Sequence, residues 1–335
     1  MKYLHIVGAR PQYMKLSPLV KEFERQQLDF DVVHTGQHYD ESMSSDFFTE
    51  LEMKPPKFQF DNNNKPYSEM ISDMITDISS ILNDYTDVIV YGDTITTLAG
   101  ALSSTFNGKR LHHVEAGVRS KNLEMPEEKI RRLVDEASNY LYCLTDKDRD
   151  NLSHVGGKVF VVGDLMYENF LLHDIKKTDK SDYVFVTIHR EENTRREELT
   201  SIVNQLNELS RTREIIFPIH PRTRSCIDRY GLSLDLKPLN AISYNEVLSF
   251  IKRCDFVISD SGGVPKEAYW LGKKSVVVLE GLVYPILEEE KCSVRADCNN
   301  IIESIKKLEE LPKIENYNLF GDGKTSKKIV EIMNG

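Results

Sequence analysis

Short apolar runs rich in β-forming residues alternate with longer amphipathic stretches along the whole 335-residue chain. The predicted strands cover residues 3–7, 31–34, 87–91, 111–115, 140–144, 159–162, 183–188, 214–218, 255–259 and 275–279. The predicted helices include residues 67–82, 197–209, 244–252, 301–308 and 326–333. Because strands that alternate with helices build βαβ units, this pattern predicts an α/β fold whose parallel sheets are covered on both faces.

A charged segment with few apolar residues, IKKTDKSD at residues 175–182, separates two such series of strands and helices. Its composition is typical of a linker. The chain is also long enough for two ordinary domains, each with its own core. The sequence therefore predicts two doubly wound domains with a cleft between them.

The composition excludes several classes of protein. The formal net charge is −10 and the pI is near 5.5, which argues against a nucleic-acid partner. No apolar run approaches the ~18 residues that span a bilayer, and the N-terminal apolar run is too short for a secretory signal. The five cysteines form no CxxC pair, so no metal site is expected. We expect a cytoplasmic protein without membrane insertion.

Charged residues follow two predicted strands of the first half. The segment GARPQYMK places Arg10 and Lys15 beside a helix start, and Asp93 comes directly after the strand at residues 87–91. In open α/β sheets ligands bind beyond the carboxyl ends of the strands, so these groups are candidates for binding an anionic ligand. The alternatives are an ordinary strand-to-helix turn and, for Asp93, a role confined to capping the next helix.

The segment HVEAGVRSKNLEMPEEKIRR combines carboxylates and arginines over a short stretch. Glu115 ends a predicted strand, and Glu127 is expected at the first position of a helix begun by Pro126. Carboxylates beside fixed cations, here Arg119, Arg131 and Arg132, can place proton-transfer groups against an anionic substrate. The alternative is a capping box with surface charges, which would explain Glu128 but explains the strand-end Glu115 poorly.

Two further motifs follow strands of the second half. His189 and Arg190 end the strand at residues 183–188 and are predicted to face the same cleft, and His220 is a secondary candidate. In ISDSGGVPKEA a strand leads through Ser261, Gly262 and Gly263 into a helix. Backbone amides there could bind a phosphate, and Glu267 on that helix could reach a ribose.

These motifs together resemble the non-hydrolysing UDP-N-acetylglucosamine 2-epimerase family. The resemblance covers nearly the whole chain, because the motifs occur in the family's order: TGQH at residues 35–38, GDT at 92–94, HVEAGVRS, PEE, HRE, DSGG and the closing NLFGDGKTSKKIVEIM. Hydrolysing relatives lose the PEE-type segment and carry an acidic residue soon after the first arginine, where this chain has Pro11 and Gln12. The resemblance therefore favours a non-hydrolysing enzyme.

The resemblance implies a glycosyltransferase B-like fold of two Rossmann-like domains. Residues 1–170 and the C-terminal helix at 318–335 would form one domain and residues 180–317 the other, in a homodimer without a nicotinamide cofactor. The reaction would interconvert UDP-GlcNAc and UDP-ManNAc for surface polysaccharide precursors, by elimination and re-addition of UDP. The implied catalytic residues are Asp93, Glu115, Glu127, His189 and Lys15. The implied UDP-sugar contacts are Arg10, Gln37, Arg119, Arg131, Arg190, His220, Ser261, Gly262, Gly263 and Glu267.

The chain departs from the family pattern at three places. Gln12 in GARPQ resembles the branch that acts on UDP-2,3-diacetamido-glucuronic acid, GLVYPILEE at residues 281–289 lacks the family's Arg and Glu, and Asp40 replaces a glutamine that follows TGQH in many members. The alternatives are a 2-epimerase of another UDP-2-acetamido sugar, a glycosyltransferase of the same fold, and a nucleotide-sugar-binding protein whose activity has decayed.

Overall fold

The chain folds into two compact units, each built on its own sheet. The computed structural model describes residues 1–37, 51–173, 182–279, 281 and 284–335. Almost all of the predicted linker lies outside these ranges, as do His38 and Asp40. Unit 1 comprises Met1–Arg119, Leu123–Leu172 and Asn318–Gly335, and unit 2 comprises Ser120–Asn122 and His173–Tyr317.

The sheet of unit 1 is parallel and has seven strands. They are β1 (Lys2–Val7), β2 (Asp29–His34), β3 (Phe58–Gln59), β4 (Asp87–Tyr91), β5 (Arg110–Ala116), β6 (Tyr140–Cys143) and β7 (Lys158–Val161). The strand order is β3-β2-β1-β4-β5-β6-β7. The order reverses between β1 and β4, which is where doubly wound sheets bind ligands.

The sheet of unit 2 is also parallel and has five strands. They are β8 (Tyr183–Thr187), β9 (Glu214–Ile216), β10 (Val257–Ser259), β11 (Ser275–Val278) and β12 (Ser293–Ala296). In the order β12-β11-β10-β8-β9 the sequence of strands reverses between β8 and β10. This switch point lies beside the carboxyl ends that carry His189 and the Ser-Gly-Gly turn.

Helices follow the strands, as the alternating pattern predicts. Those of unit 1 are α1 (Arg10–Arg25), α2 (Tyr67–Ile81), α3 (Ile95–Phe106), α4 (Pro126–Ala137), α5 (Asp146–Asp150) and α6 (Leu165–Leu171). Those of unit 2 are α7 (Arg196–Ser210), α8 (Pro221–Tyr230), α9 (Tyr244–Arg253), α10 (Val264–Trp270), α11 (Ile286–Glu289) and α12 (Ile301–Glu310). The last helix, α13 (Thr325–Asn334), belongs to unit 1.

The core of unit 1 lies on both faces of its sheet. In β1, Tyr3 and Val7 pack into one apolar cluster, whereas Leu4 and Ile6 pack into another. This alternation is what a strand covered by helices on both sides requires. The predicted α/β fold class with parallel, doubly wound sheets is confirmed.

Candidate active site

A β-bulge at the end of β5 sets the direction of the Glu115 side chain. The register with β6 shifts between Val114 and Ala116, so Glu115 is the extra residue of the bulge. Its φ of 71° lies in the left-handed region, which costs a non-glycine residue about 1–3 kcal/mol. The side chain is buried and forms an ion pair with Lys15 of α1. The bulge thus places a carboxylate against a cation at the carboxyl edge of the sheet.

Lys15 is held in its charged form by the acidic groups around it. Burial by itself lowers the pKa of this ammonium, but Glu115 and Asp93 outweigh burial and raise the pKa above its ordinary value. The adjoining turn favours glycine, because Gly92 has a φ of 66° and an added Cβ would lie 3.2 Å from Lys15 Nζ. The β4–α3 turn therefore approaches Lys15 closely.

Asp93 is paired with an arginine and does not cap α3. The N-cap of α3 is Thr94, whose hydroxyl accepts from the Thr97 amide, so the prediction that Asp93 only caps this helix is wrong. Asp93 instead forms an ion pair with the buried Arg131 of α4. This contact fixes the Asp93 carboxylate at the same sheet edge as Glu115.

Glu128 is buried inside the arginine cluster of α4. It accepts from Arg131 Nη1 at 3.3 Å and from Arg132 Nε at 2.8 Å, and no side-chain hydrogen bond caps the helix at Met125. The capping-box and surface-charge alternative is therefore wrong for this residue. The sequence signal was the spacing of Glu128 three and four residues before two arginines.

Glu127 is the predicted catalytic carboxylate with the fewest constraints. It is the second residue of α4, after Pro126, and not the first as expected. It is half-buried, and within the described part of the chain it makes no hydrogen bond or ion pair. Unlike Asp93 and Glu115, Glu127 could contact a ligand without first breaking an ion pair.

His113 links the β4–α3 turn to α4. Its Nδ1 lies 2.7 Å from Asp135 Oδ1 and its Nε2 lies 2.8 Å from the Gly92 carbonyl oxygen. Asp135 also pairs with Arg119 at 2.7 Å. Burial pushes the pKa of Asp135 upward, but His113 and Arg119 outweigh it and hold the pKa below its usual range. Asp135 and the Gly92 carbonyl thus hold the His113 ring at both of its nitrogens. Sequence reasoning missed Asp135, which lies among the charges of α4.

Gln12 and Gln37 brace the loop that leads into α1. Gln12 Oε1 accepts from the amides of Gly8 and Ala9 at 2.8 and 3.1 Å, while its Nε2 donates to the Tyr91 carbonyl at 2.9 Å. Gln37 Oε1 accepts from the amide and hydroxyl of Thr96 at 3.0 and 2.8 Å. The predicted ligand Arg10 is exposed at the first position of α1, beside this braced loop.

In unit 2 a buried carboxylate organises the loop after β8. Asp260 follows β10 and accepts from the amides of His189 and Arg190. His220, the secondary candidate, is exposed and is the N-cap of α8, where its Nδ1 accepts from the Arg222 amide at 3.2 Å. Its ring centroid lies 5.7 Å from that of His189. The sequence did not single out Asp260, although it opens the DSGG motif.

The Ser-Gly-Gly turn after β10 leads into the short helix α10. The Ser261 hydroxyl accepts from the amides of Gly263 and Val264 at 3.2 and 3.4 Å. Two residues into the helix, Lys266 is fully buried and its ammonium lies 4.2 Å from the ring centroid of Tyr284. Tyr284 belongs to the segment that departs from the family pattern, in which residues 282–283 lie outside the described part.

Glu267 is buried in α10 and is poised to titrate near neutral pH. Burial raises the pKa of its carboxyl to about 7, although the Tyr244 hydroxyl and the Lys266 ammonium act in the opposite direction. A carboxyl with such a pKa can change its protonation when a polar ligand replaces its surroundings. Its place after the Ser-Gly-Gly turn is the one predicted for a ribose contact.

Two general features of the described ranges bear on the type of site. None of their helices is both long and apolar enough to cross a membrane. The same ranges contain no group of three or more His, Cys, Asp or Glu side chains placed to hold a metal ion.

Two doubly wound units with acid–base side chains at their carboxyl edges define an α/β enzyme. A sequence model described as UDP-N-acetylglucosamine 2-epimerase matches residues 21–334. The chain is 36% identical to the UDP-2,3-diacetamido-2,3-dideoxy-D-glucuronate 2-epimerase of Pseudomonas aeruginosa, with 99% of each chain covered. It is 37% identical to a UDP-N-acetylglucosamine 2-epimerase homolog of Methanococcus maripaludis, again over 99% of each.

A solved structure agrees with these sequence relatives. The UDP-GlcNAc 2-epimerase of Methanocaldococcus jannaschii in complex with UDP-GlcNAc and UDP superposes with a TM-score of 0.89 at 32% identity, and the match covers 100% of this chain and 99% of that one. This protein belongs to the UDP-N-acetylglucosamine 2-epimerase family and is an isomerase. The predicted family and the predicted class of two Rossmann-like units of glycosyltransferase B type are confirmed.

Proposed function

We propose that this protein is a non-hydrolysing UDP-N-acetylglucosamine 2-epimerase that inverts C2 of a UDP-linked 2-acetamido sugar. The C2 proton of such a sugar is not acidic enough for direct removal. Elimination of UDP together with this proton gives a glycal, and protonation of the opposite face followed by re-addition of UDP gives the epimer. The observation that carries the proposal is the gathering of Lys15, Asp93, Glu115 and Arg131 at one edge of the unit 1 sheet.

We assign the sugar chemistry to the carboxylates of unit 1, and we propose a proton-transfer role for His189. Asp93 and Glu115 form ion pairs with Arg131 and Lys15, and these carboxylates would favour positive charge that develops on the sugar as UDP departs. Glu127 and His189 are then the candidates for proton transfer at C2. Arg10, exposed at the start of α1, is the candidate to stabilise the departing diphosphate.

We assign UDP binding to unit 2. Ser261, Gly262 and Gly263 would receive the diphosphate, and Glu267 would accept the ribose hydroxyls. Arg190 and His220 would line the same edge. Since Arg119 and Arg131 are already engaged by carboxylates, we assign them to fixing those groups rather than to direct contact with the substrate. Gln37, bonded to Thr96, would have the same supporting role.

A second candidate substrate is a UDP-2,3-diacetamido-uronate. It is favoured by the GARPQ segment and by the relative from Pseudomonas aeruginosa, whose name specifies that sugar. The added carboxylate would need a cation in the sugar pocket. A binding protein without turnover is the alternative of another class, and the altered segment at residues 281–289 is the observation that supports it.

We further propose that the two compact units are the two domains, residues 1–170 with 318–335 and residues 180–317. A cytoplasmic homodimer that supplies precursors of surface polysaccharide would fit the family. Light scattering of the purified chain tests the dimer, because a monomer would give a mass near 38.6 kDa.

Incubation with UDP-GlcNAc followed by proton NMR tests the proposed function. The epimerase gives a new anomeric signal from UDP-ManNAc, with UDP released only in traces. A parallel incubation with the diacetamido-uronate ranks the two substrates by kcat/KM. Free UDP and sugar in place of the epimer would indicate hydrolysis. Unchanged substrate in both incubations would support a binding protein without turnover.

A further inference from the structure

The carboxylate of Asp260 is fully buried directly after β10 and is surrounded by donors from the loop after β8. Its Oδ2 accepts from the His189 amide at 2.9 Å, the Arg190 amide at 2.8 Å and Asn193 Nδ2 at 3.2 Å. Its Oδ1 lies 3.0 Å from the His189 amide nitrogen and 3.2 Å from Nδ1 of the His189 ring. One carboxylate thus holds both the backbone and the imidazole of His189.

The two oxygens of Asp260 have different tasks. Oδ2 is committed to three N–H donors, so the carboxylate cannot rotate without giving up hydrogen bonds that are shielded from water. Oδ1 also accepts from the His189 amide and faces Nδ1 of the ring. An ionised carboxylate only accepts hydrogen bonds, so a hydrogen bond from the ring to Oδ1 would require the proton on Nδ1. Nε2 then keeps its lone pair.

We propose that Asp260 is a positioning residue that fixes the tautomer of His189, so that the neutral ring presents Nε2 as a proton acceptor. In this role Nε2 takes a proton and later returns it. Asp260 remains ionised throughout, as the orienting carboxylate of a His–Asp pair does in other enzymes. The reaction assigned to His189 rests on the proposed function, whereas the contact between Asp260 and His189 does not.

The other charged groups around His189 do not replace Asp260. His220 approaches with its ring centroid 5.7 Å away, and Arg222 donates from Nη1 to the His189 carbonyl at 3.4 Å. The neighbouring Arg190 contributes its backbone amide to the same carboxylate. Among the described contacts of His189, the carboxylate is Asp260.

The competing explanation is that Asp260 only braces the loop after β8. Both explanations predict a slower enzyme when Asp260 is changed, so loss of rate cannot separate them. They differ in the state of the imidazole. Nitrogen-15 NMR of the full chain with labelled histidine reports that state directly, and a His189→Gln sample assigns the resonance. We expect the neutral ring of the wild type to be the Nδ1–H tautomer, whereas an Nε2–H tautomer would overturn the proposal without any mutation.

The variant Asp260→Asn sharpens the measurement. The amide oxygen of the introduced asparagine should take the Oδ2 position, because three N–H donors point to it. The NH2 group then faces Nδ1 of His189. The ring must then accept at Nδ1 and carry its proton on Nε2. The matched control is Asn193→Leu, which removes one donor to the same carboxylate and leaves Oδ1 opposite the ring. We expect the tautomer to change in Asp260→Asn and to stay as in the wild type in Asn193→Leu.

Kinetics of the same variants provide the second test. A wrong tautomer should lower kcat by ~10²–10⁴-fold with little change in KM. In the His189→Gln background, Asp260→Asn should cost no further rate. Two results would show that Asp260 only supports the loop. One is a double variant whose loss of rate is the product of the two single losses, and the other is an Asn193→Leu enzyme that loses as much rate as Asp260→Asn.

These outcomes remain distinct from failure of the proposed function. If the wild-type enzyme does not epimerise UDP-GlcNAc or the diacetamido-uronate, the function is wrong, yet the tautomer comparison still decides the role of Asp260. If epimerisation is observed and the tautomer does not depend on Asp260, the function stands and the positioning role is refuted.

Discussion

Glu115 combines a strained backbone with a buried ion pair, so a substitution at this position is expected to change both the rate and the stability. The residue has a positive φ in the bulge of β5, and its carboxylate compensates the charge of Lys15. A neutral replacement removes a catalytic charge and also leaves an ammonium buried without its partner. The effects on rate and on stability must therefore be separated by a second substitution.

We predict that Glu115→Gln lowers epimerisation by at least ~10²-fold, since the carboxylate acts on the charge that develops in the sugar. The free energy of unfolding should also fall by about 3 kcal/mol because Lys15 remains charged and buried. The control is the double variant Glu115→Gln/Lys15→Met, in which most of the stability returns and the activity does not. Urea unfolding and NMR rates measure both quantities. A Glu115→Gln enzyme with full activity contradicts the assignment.

Glu267 is expected to make stability depend on pH in a defined window. Its folded-state pKa is raised from 4.5 to about 7 by burial, so between these values the unfolded chain releases a proton that the folded chain retains. The stabilising contribution of the neutral carboxyl is full below pH 4.5 and is lost as the pH rises through about 7. Because glutamine cannot ionise, the melting temperature of Glu267→Gln should depend less on pH over this range than that of the wild type.

The control for Glu267 is Glu246→Gln, at the exposed N-terminal turn of α9. The Ser243 hydroxyl and amide lower the pKa of Glu246 below its ordinary value, so its contribution changes only at more acidic pH. This variant should keep the wild-type slope between pH 4.5 and 7. Parallel melting curves of the wild type and Glu267→Gln would refute the assigned titration.

At the scale of elements, the junction of β1 and α1 depends on close backbone approach. A Cβ on Gly8 would lie 2.2 Å from the hydroxyl oxygens of both Thr35 and Thr96, and these two hydroxyls are themselves 2.7 Å apart. Any side chain there must displace the turn that carries Arg10. We predict that Gly8→Ala lowers the free energy of unfolding by about 2 kcal/mol through overpacking.

Gly156 provides the matched control for Gly8. An added Cβ at this position meets nothing within 4 Å and the residue has no positive φ, so Gly156→Ala should leave the unfolding free energy nearly unchanged. Denaturant unfolding of both variants makes the comparison. Equal effects of the two substitutions would show that the tight junction contributes nothing.

The elements were predictable where their sequence pattern is long and regular. The strands at β1 and β4 and the helix α2 have the predicted extent to within a residue or so. The predicted strand 214–218 ends instead at Ile216, because Pro218 lacks an amide to donate and forms only a bridge to Leu239. The two-residue β3 and the polar β12 were missed, since edge strands this short carry no usable alternation.

The sequence predicted where the site residues lie along the chain, but it did not predict which side chains they contact. Strand ends marked Asp93, Glu115 and His189, because ligands gather at the carboxyl edges of parallel sheets. Two buried carboxylates were missed: Asp135, which binds His113 and Arg119, and Asp260, which binds the His189 amide. In the sequence, a buried carboxylate of an ion-pair network looks like any other charged residue. The bulge that turns Glu115 also has no sequence signature, because its positive φ is carried by a residue other than glycine.

At the scale of the whole molecule, UDP should stabilise the folded chain. A ligand that binds only the native state adds RT ln(1 + [L]/Kd) to the free energy of unfolding, about 2.7 kcal/mol at a hundredfold excess over Kd. We therefore expect UDP to raise the melting temperature of the wild type in a concentration-dependent way. The rise should be smaller for Glu267→Ala and preserved for Glu127→Gln. An unchanged melting temperature at millimolar UDP would exclude a nucleotide site.

The most direct test of the account is turnover of UDP-GlcNAc in deuterated water, followed by NMR and mass spectrometry. Elimination and re-addition exchange the C2 hydrogen with groups such as Glu127 and His189, whose protons equilibrate with solvent. We predict that deuterium appears at C2 of the epimer and accumulates in the recovered substrate. An epimer that retains its original hydrogen at C2 would contradict proton transfer by these residues and with it the proposed mechanism.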